Sequence, residues 1–372
     1  MLCSYQKPLT GKTVGVVFGS FAPLHQGHLD LIMEAKKEND AGCIVIVCGY
    51  DGDKGEPLMP HNKRYRYVRE FFADDDLVAV YAINDTEIGI DKYPNGWDGW
   101  MKEFEDIYEN AVDGVTKRHW YVGEDNYYYD LIERNENVTC INRHVYNPIS
   151  ATMIRENPIK HWDKIAAPFR RVFSHNILIT GTASEGKSTL VTDLGKYFNA
   201  PHSYEWAKDN YMKNSCISDW ELDGADFIAF LEGQYDLNKE LINSPGNHGI
   251  FFADTDAMVT RMYAEYYSMD PKFALTPEEF EKIAVVADEL GHKSRWDKIF
   301  YLAPHEKFVD DHIRYMDHGD LNTRILMSNI LLDNICRLGD YKKITILDSG
   351  DYYENFKTVV DYVKGVIEHG KP

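Results

Sequence analysis

Ile177-Leu178-Ile179-Thr180-Gly181-Thr182-Ala183-Ser184-Glu185-Gly186-Lys187-Ser188-Thr189 reads as a short strand, a glycine-bounded turn and the start of a helix. Its first four residues are apolar or β-branched, the pattern of a strand buried on both faces. G-x-x-x-x-G-K-S follows without deviation from Gly181 to Ser188. In such a P-loop the backbone N–H groups of Gly181, Thr182, Ala183, Ser184, Glu185 and Gly186 cradle phosphate. Lys187 reaches the β- and γ-oxygens, Ser188 offers its hydroxyl to Mg²⁺, and Thr189, next on the helix, is expected to complete the ATP-binding set. A turn of this kind belongs to a parallel α/β sheet, which decides the fold class of the second half of the chain.

A second loop of the same logic lies upstream. The apolar run Thr13-Val14-Gly15-Val16-Val17-Phe18 leads into Gly19-Ser20-Phe21-Ala22-Pro23-Leu24-His25-Gln26-Gly27-His28, and His28 to Lys37 is amphipathic with helical spacing. This is a nucleotidylyltransferase-like signature. Further strands are expected at Ile44 to Cys48, Val78 to Ile83 and Trp120 to Gly123, with helices at Lys63 to Phe72 and Met101 to Ala111. The alternation resumes at Asn176. Strands are expected at Ile177 to Thr180, Ile250 to Ala253, Lys298 to Leu302 and Lys343 to Leu347, separated by long helices. Pro158 and Pro168 interrupt the pattern between the halves. The expected architecture is therefore α/β: two doubly wound parallel-sheet domains. Residues 1–165 form a Rossmann-like nucleotidylyltransferase domain and residues 166–372 a P-loop kinase domain.

The 372 residues carry a formal charge of -20. A surface this acidic repels nucleic acid and anionic membranes, so neither is an expected partner. No apolar run approaches the length of a membrane span, and no signal-like segment opens the chain, so a cytoplasmic location is expected. The six cysteines are scattered without a CxxC pair, so no zinc or disulfide framework is implied.

The first loop suits adenylyl transfer. There an already ionised phosphate attacks the α-phosphorus of ATP, so in-line placement and charge neutralisation matter more than a strong base. Gly19 lets backbone approach the phosphates. His25 and His28, three apart at a helix start, present two imidazole donors on one face beside the positive end of the helix. Later, Ile149-Ser150-Ala151-Thr152-Met153-Ile154-Arg155 offers a helix start with two hydroxyls, Ser150 and Thr152. Arg155 adds a permanently charged fork suited to a leaving pyrophosphate.

Taken together, GSFAPLHQGH, GWDGW, YVGEDNYYYD and ISATMIRENPIKHWD resemble the NadR-type proteins, bifunctional nicotinamide mononucleotide (NMN) adenylyltransferases and ribosylnicotinamide kinases of NAD synthesis. The resemblance runs from about Thr13 to about Val363. It implies ATP as co-substrate with Mg²⁺, and nicotinamide riboside, NMN and NAD as the other ligands; it leaves room for a homo-oligomer. It implies that Gly19, Ser20, Phe21, His25, His28, Ser150, Thr152 and Arg155 form the ATP site of the first domain. Gly123 and the acidic residues after it would lie near the adenosine. Trp97 and Trp100, in a Gly/Pro-rich loop, would stack on the cationic nicotinamide ring.

In the second domain the chain Ile250-Phe251-Phe252-Ala253-Asp254-Thr255-Asp256 supplies two acids at a strand end, one of which is expected to cap the next helix. Glu205 stands where NadR-type kinases have a Glu before an aromatic residue and Ala. The general base stays open among Glu205, Asp254 and Asp256, with a preference for Asp254 on Mg²⁺. A lid resembling the family's acidic lid is expected at Phe308 to Arg314, although His312 replaces the family's usual Gly. Arg314 or Arg324 is a candidate to stabilise the transferring γ-phosphate. About a dozen residues precede the first strand, so the expected chain lacks the DNA-binding segment of some family members. Two alternatives stand beside this reading. A fused pantetheine-phosphate adenylyltransferase and dephospho-coenzyme A kinase is disfavoured by His25 and Ala22. A nucleotide-sensing regulator with degenerate sites is disfavoured by the intact His25/His28 and Lys187/Ser188 pairs.

Overall fold

The computed structural model describes residues 6–141, 148–306 and 320–370. It divides into two units, Met1–Phe173 and Ser174–Pro372. The first contains β1 (Leu9–Thr10), β2 (Thr13–Gly19), β3 (Cys43–Gly49), β4 (Val78–Asn84), β5 (Val112–Asp113), β6 (Lys117–Val122) and β7 (Val138–Cys140). Its main sheet is parallel, in the order β4-β3-β2-β6-β7; β1 and β5 pair separately. Both faces are covered, which explains the unbroken apolar runs of β2 and β3. Val17, Val45 and Val47 pack with Leu31, Ile32 and Ala35 of the helix Gln26–Glu38. Val14, Val16, Ile44 and Ile46 pack on the other side with Trp97, Phe104 and Trp120. The chain switches sides of β2 when it crosses from β4 to β6, and the crevice at that switch point opens beyond Gly19 and Val122.

Two details differ from the expected layout. The helix expected at Met101 begins at Trp97, behind Gly96. Trp97, Trp100 and Phe104 fall on one face at helical spacing, and their burial draws the helix back into the Gly/Pro-rich stretch. The border between units follows the helix Ala167–Phe173 rather than preceding it. Phe169, Val172 and Phe173 belong to the first core, with Phe169 edge-on to Tyr67 at 5.4 Å.

The second unit contains β8 (His175–Gly181), β9 (Ile250–Ala253), β10 (Lys298–Leu302) and β11 (Ile344–Leu347), parallel in the order β11-β10-β8-β9. His202 bridges Phe252 in parallel beyond β9. All seven residues of β8 are buried. The helices Gly224–Asn243, Ala257–Ser268, Pro277–Lys293 and Leu321–Arg337 share one core through Phe227, Met262, Ile283 and Leu331. Capping boxes at Asp223 and Thr276 start two of them, satisfying backbone N–H groups the first turn leaves over. Among the described residues, no helix is long and apolar enough to cross a membrane.

Candidate active sites

In the first unit, β2, β6 and the helix Ala151–Glu156 converge on a cleft of about 1030 Å³. Gly19, Ser20, His25, His28, Gly123, Ser150 and Thr152 all line it. The His25 and His28 rings stack at 3.8 Å, and Phe21 meets His28 edge-on at 5.0 Å. Phe21 is wholly buried with φ of 44°, an unusual conformation for a bulky residue and one that burial must hold in place. It supports the imidazole from behind rather than lining the cleft. Ser150 caps its helix by accepting from the Met153 N–H at 3.2 Å. Arg155 does not line the cleft. Its guanidinium donates to the Ala22 carbonyl at 2.5 Å and to Thr152 Oγ1 at 3.1 Å, bracing the loop that carries the histidines.

The tryptophans are placed differently from expectation. Trp97 and Trp100 are buried in the core, because helix formation turns both indoles inward. Trp100 donates to Asp85 at 2.9 Å. Trp97 lies 6.1 Å from Phe18 and 6.2 Å from Tyr127, and it is these two rings that line the cleft. Sequence reasoning also missed Arg64 and Asp53. Arg64 is fully buried, ion-paired with Asp53, and donates to the Ser20 carbonyl at 3.1 Å. A buried guanidinium requires such a partner. In sequence, Arg64 looks like any base on the charged helix His61–Phe71.

In the second unit the P-loop closes the carboxyl end of β8. Gly181 has φ of 149°, and a Cβ there would come within 2.7 Å of the Leu302 carbonyl oxygen. Gly186 is left-handed at φ 81°. Lys187 Nζ donates to the Thr182 carbonyl at 2.6 Å, keeping the ammonium inside the turn. Ser188 Oγ donates to Asp254 Oδ2 at 2.5 Å. Hydroxyl and carboxylate oxygens together form a hard-oxygen donor pair of the kind Mg²⁺ takes. Thr189 is exposed on the first turn of the following helix.

Two expected roles are corrected. Asp256 is not positioned for chemistry: its Oδ1 accepts from the Met258 N–H at 3.0 Å and its Oδ2 from Trp296 Nε1 at 2.9 Å. It is the helix cap of the pair, and burial raises its carboxyl to about 6. Glu185, expected to offer only its backbone N–H to phosphate, turns its side chain inward onto Arg324 at 2.7 Å. Arg324 is correspondingly buried on Glu185 and the His305 carbonyl, which removes it as a γ-phosphate contact. The segment 308–314, with Arg314, lies outside the described residues.

Glu205 lines a separate pocket of about 470 Å³, together with Asp219, Thr255, Phe227, Tyr263 and Tyr267. Its segment is fixed by Gln234, which accepts from the Trp206 N–H at 2.8 Å and donates to the Tyr204 carbonyl at 3.1 Å. A π-helical turn, Ala207–Met212, follows; such turns recur at functional sites. Tyr267 donates to Asp219 at 2.9 Å. Asp219 and Gln234 carried no signal in the sequence, because a helix-end Asp and a mid-helix Gln are ordinary surface residues until burial is known.

Comparison with known proteins covers both units. Residues 16–157 match the family described as Cytidylyltransferase-like and residues 176–354 the one described as AAA domain. A solved NadR protein in complex with NR superposes with a TM-score of 0.85 at 34% identity, covering 98% of each chain. The chain belongs to the NadR family. A second NadR structure, in complex with NAD and AMP-PNP, gives a TM-score of 0.83, also at 34% identity and 98% of each chain. The Trifunctional NAD biosynthesis/regulator protein NadR of Salmonella typhimurium is 27% identical over 96% of this chain and 84% of its own length. In this chain the loops after β2 and β8 each sit at the switch point of their sheet.

Proposed function

We infer that this chain is a bifunctional enzyme of NAD synthesis: a ribosylnicotinamide kinase in the second unit and an NMN adenylyltransferase in the first. The observation that carries the reading is the presence of two complete phosphate loops, His25/His28 and Lys187/Ser188/Asp254, in a chain that matches NadR proteins along its length.

In the kinase step the riboside occupies the Glu205 pocket. Its lining includes two acids, Glu205 and Asp219, and no Lys, Arg or His, with Tyr and Phe rings around them. That chemistry suits a cationic pyridinium nucleoside. Glu205 is the general base: it takes the proton of the 5′-hydroxyl as that oxygen bonds to the γ-phosphorus of ATP and the bond to ADP breaks. Lys187 and the loop amides stabilise the charge on the transferring group. Ser188 and Asp254 would hold Mg²⁺, which would supply charge neutralisation on the phosphates.

In the adenylyl step the phosphate of NMN attacks the α-phosphorus of a second ATP and pyrophosphate leaves. His25, His28, Ser150 and Thr152 hold the triphosphate, and Arg155 and Arg64 hold the loop. Phe18 and Tyr127, backed by Trp97 and Trp100, form the aromatic wall for the nicotinamide ring. A chain of charge -20 with no membrane-crossing helix among its described residues fits cytoplasmic work on small molecules, without a nucleic-acid partner.

Incubation with Mg-ATP and nicotinamide riboside, resolved by chromatography, tests the reading. NMN should appear first and NAD after it. Turnover of dephospho-coenzyme A in place of the riboside would overturn it.

A further inference from the structure

Glu185 is an odd residue for the middle of a phosphate-binding turn, since a carboxylate there opposes the ligand's charge. Its side chain is 1% exposed and points into the unit. Oε1 accepts from Arg324 Nη1 at 2.7 Å and from Thr182 Oγ1 at 3.3 Å, and Oε2 accepts from the His305 N–H at 3.3 Å. Arg324, fully buried, completes a ring by donating to the His305 carbonyl at 2.6 Å. The cluster therefore ties three pieces of chain together: the P-loop, the exit of β10, and the helix Leu321–Arg337. The loop has need of such a tie. Ser184 and Gly186, on either side of Glu185, are both left-handed, at φ 65° and 81°. Two left-handed residues flanking Glu185 give the turn its tight curvature, which its neighbours must hold.

We propose that Glu185 and Arg324 are positioning residues for ATP in the kinase: the buried pair sets the curvature of the P-loop, and so the aim of its amides, without touching the nucleotide. The inference rests on the kinase reading of this unit. It predicts a defect in ATP capture, separable from stability and from the acceptor site.

The test uses the full chain, with Glu185→Gln, Arg324→Met and the double variant Glu185→Gln/Arg324→Met. Each single change leaves one buried charge unpaired, so lost stability is expected; the double variant leaves none. Thermal unfolding and the KM for Mg-ATP and for riboside are measured, with NAD formation from NMN as control. The expected result is a double variant that unfolds near the parent temperature yet has its KM for ATP raised about tenfold to a hundredfold. Its riboside KM and its NAD formation from NMN should stay unchanged. If the singles do not fold, the double variant alone decides. A double variant with the parent KM for ATP would overturn the proposal and leave the pair a purely structural one. Failure of the unsubstituted chain to phosphorylate riboside, with NAD formation intact, would instead overturn the kinase reading and this inference with it.

Discussion

In the first unit the strand-to-helix loop turns side chains toward its cleft: Ser20, His25 and His28 line it. In the second unit the corresponding loop turns its side chains away. Thr182, Ala183 and Glu185 are buried in the body of the unit, and backbone amides with the Lys187 ammonium are left to meet phosphate. The two loops share a position in the fold, at the carboxyl end of a central parallel strand, yet differ in where rigidity comes from. Imidazoles must be held from behind, and Phe21, Arg155 and Arg64 do this for the first loop. Amides need a fixed curvature, which glycines and a buried ion pair supply in the second. A shared topology therefore does not dictate which groups bind the phosphate; the local packing behind the loop does.

The most severe way to break this comparison is to remove one donor from each loop. Lys187→Ala is expected to lower riboside phosphorylation on the order of a thousandfold while NAD formation from NMN survives, and His28→Ala the reverse. Separate product assays on the two purified variants check this. Loss of both activities in either folded variant would mean that the loops do not work independently.

The bracing of the imidazole loop is tested next. Arg64→Met leaves Asp53 buried without its partner, which should destabilise the first unit by about 3–5 kcal/mol. Denaturant unfolding followed by tryptophan fluorescence would report it, with the kinase activity as an internal reference. An unchanged midpoint would show that the guanidinium braces nothing.

A pH experiment sharpens the contrast between the two acids that leave β9. Burial raises the Asp256 carboxyl from its usual 3.8 to about 6. The folded state therefore binds this proton more tightly than the unfolded chain does, so the group favours folding at low pH. That contribution is fully present below the unfolded value near 4 and is lost as pH rises through about 6. It is worth roughly 3 kcal/mol at about 1.4 kcal/mol per pKa unit. Asp256→Asn, which cannot titrate, should lack this dependence. The stability difference between parent and variant, read from unfolding midpoints, should shift in the parent's favour between pH 7 and pH 4. A constant difference across that range would show that Asp256 is not buried as described.

The smallest effect belongs to Ser150→Ala, which removes a helix cap at the cleft and should cost about 1 kcal/mol. The same change should weaken ATP binding to the first unit alone. A variant with weaker ATP binding in the kinase instead would place Ser150 wrongly.

Both loops were legible in the sequence because each is a contiguous run with fixed spacing after an apolar strand. Asp254 was legible because it ends an apolar strand, and Glu205 only through the resemblance to NadR-type kinases, which have a Glu before an aromatic residue and Ala. Arg64, Asp53, Asp219 and Gln234 were not, because each reaches its site from a distant element and sits in an unremarkable amphipathic stretch. Trp97 and Trp100 were misplaced for the opposite reason. Gly and Pro around them spoke for a loop, but the apolar spacing of Trp97, Trp100 and Phe104 had already written a buried helical face. Asp256 shows what only coordinates add. Of two carboxylates separated by one residue, one was expected to cap the next helix, and Asp256 is the one that does so, beneath an indole.

The helix Ala167–Phe173 carries a practical lesson for anyone wishing to handle the halves apart. A cleavage site engineered just ahead of it would strip Phe169 and Phe173 from the first core and hand the kinase fragment a greasy, unsupported leader. Severing the backbone between Phe173 and Ser174 keeps those rings where they are packed, so expression plasmids for the isolated halves should end and begin there.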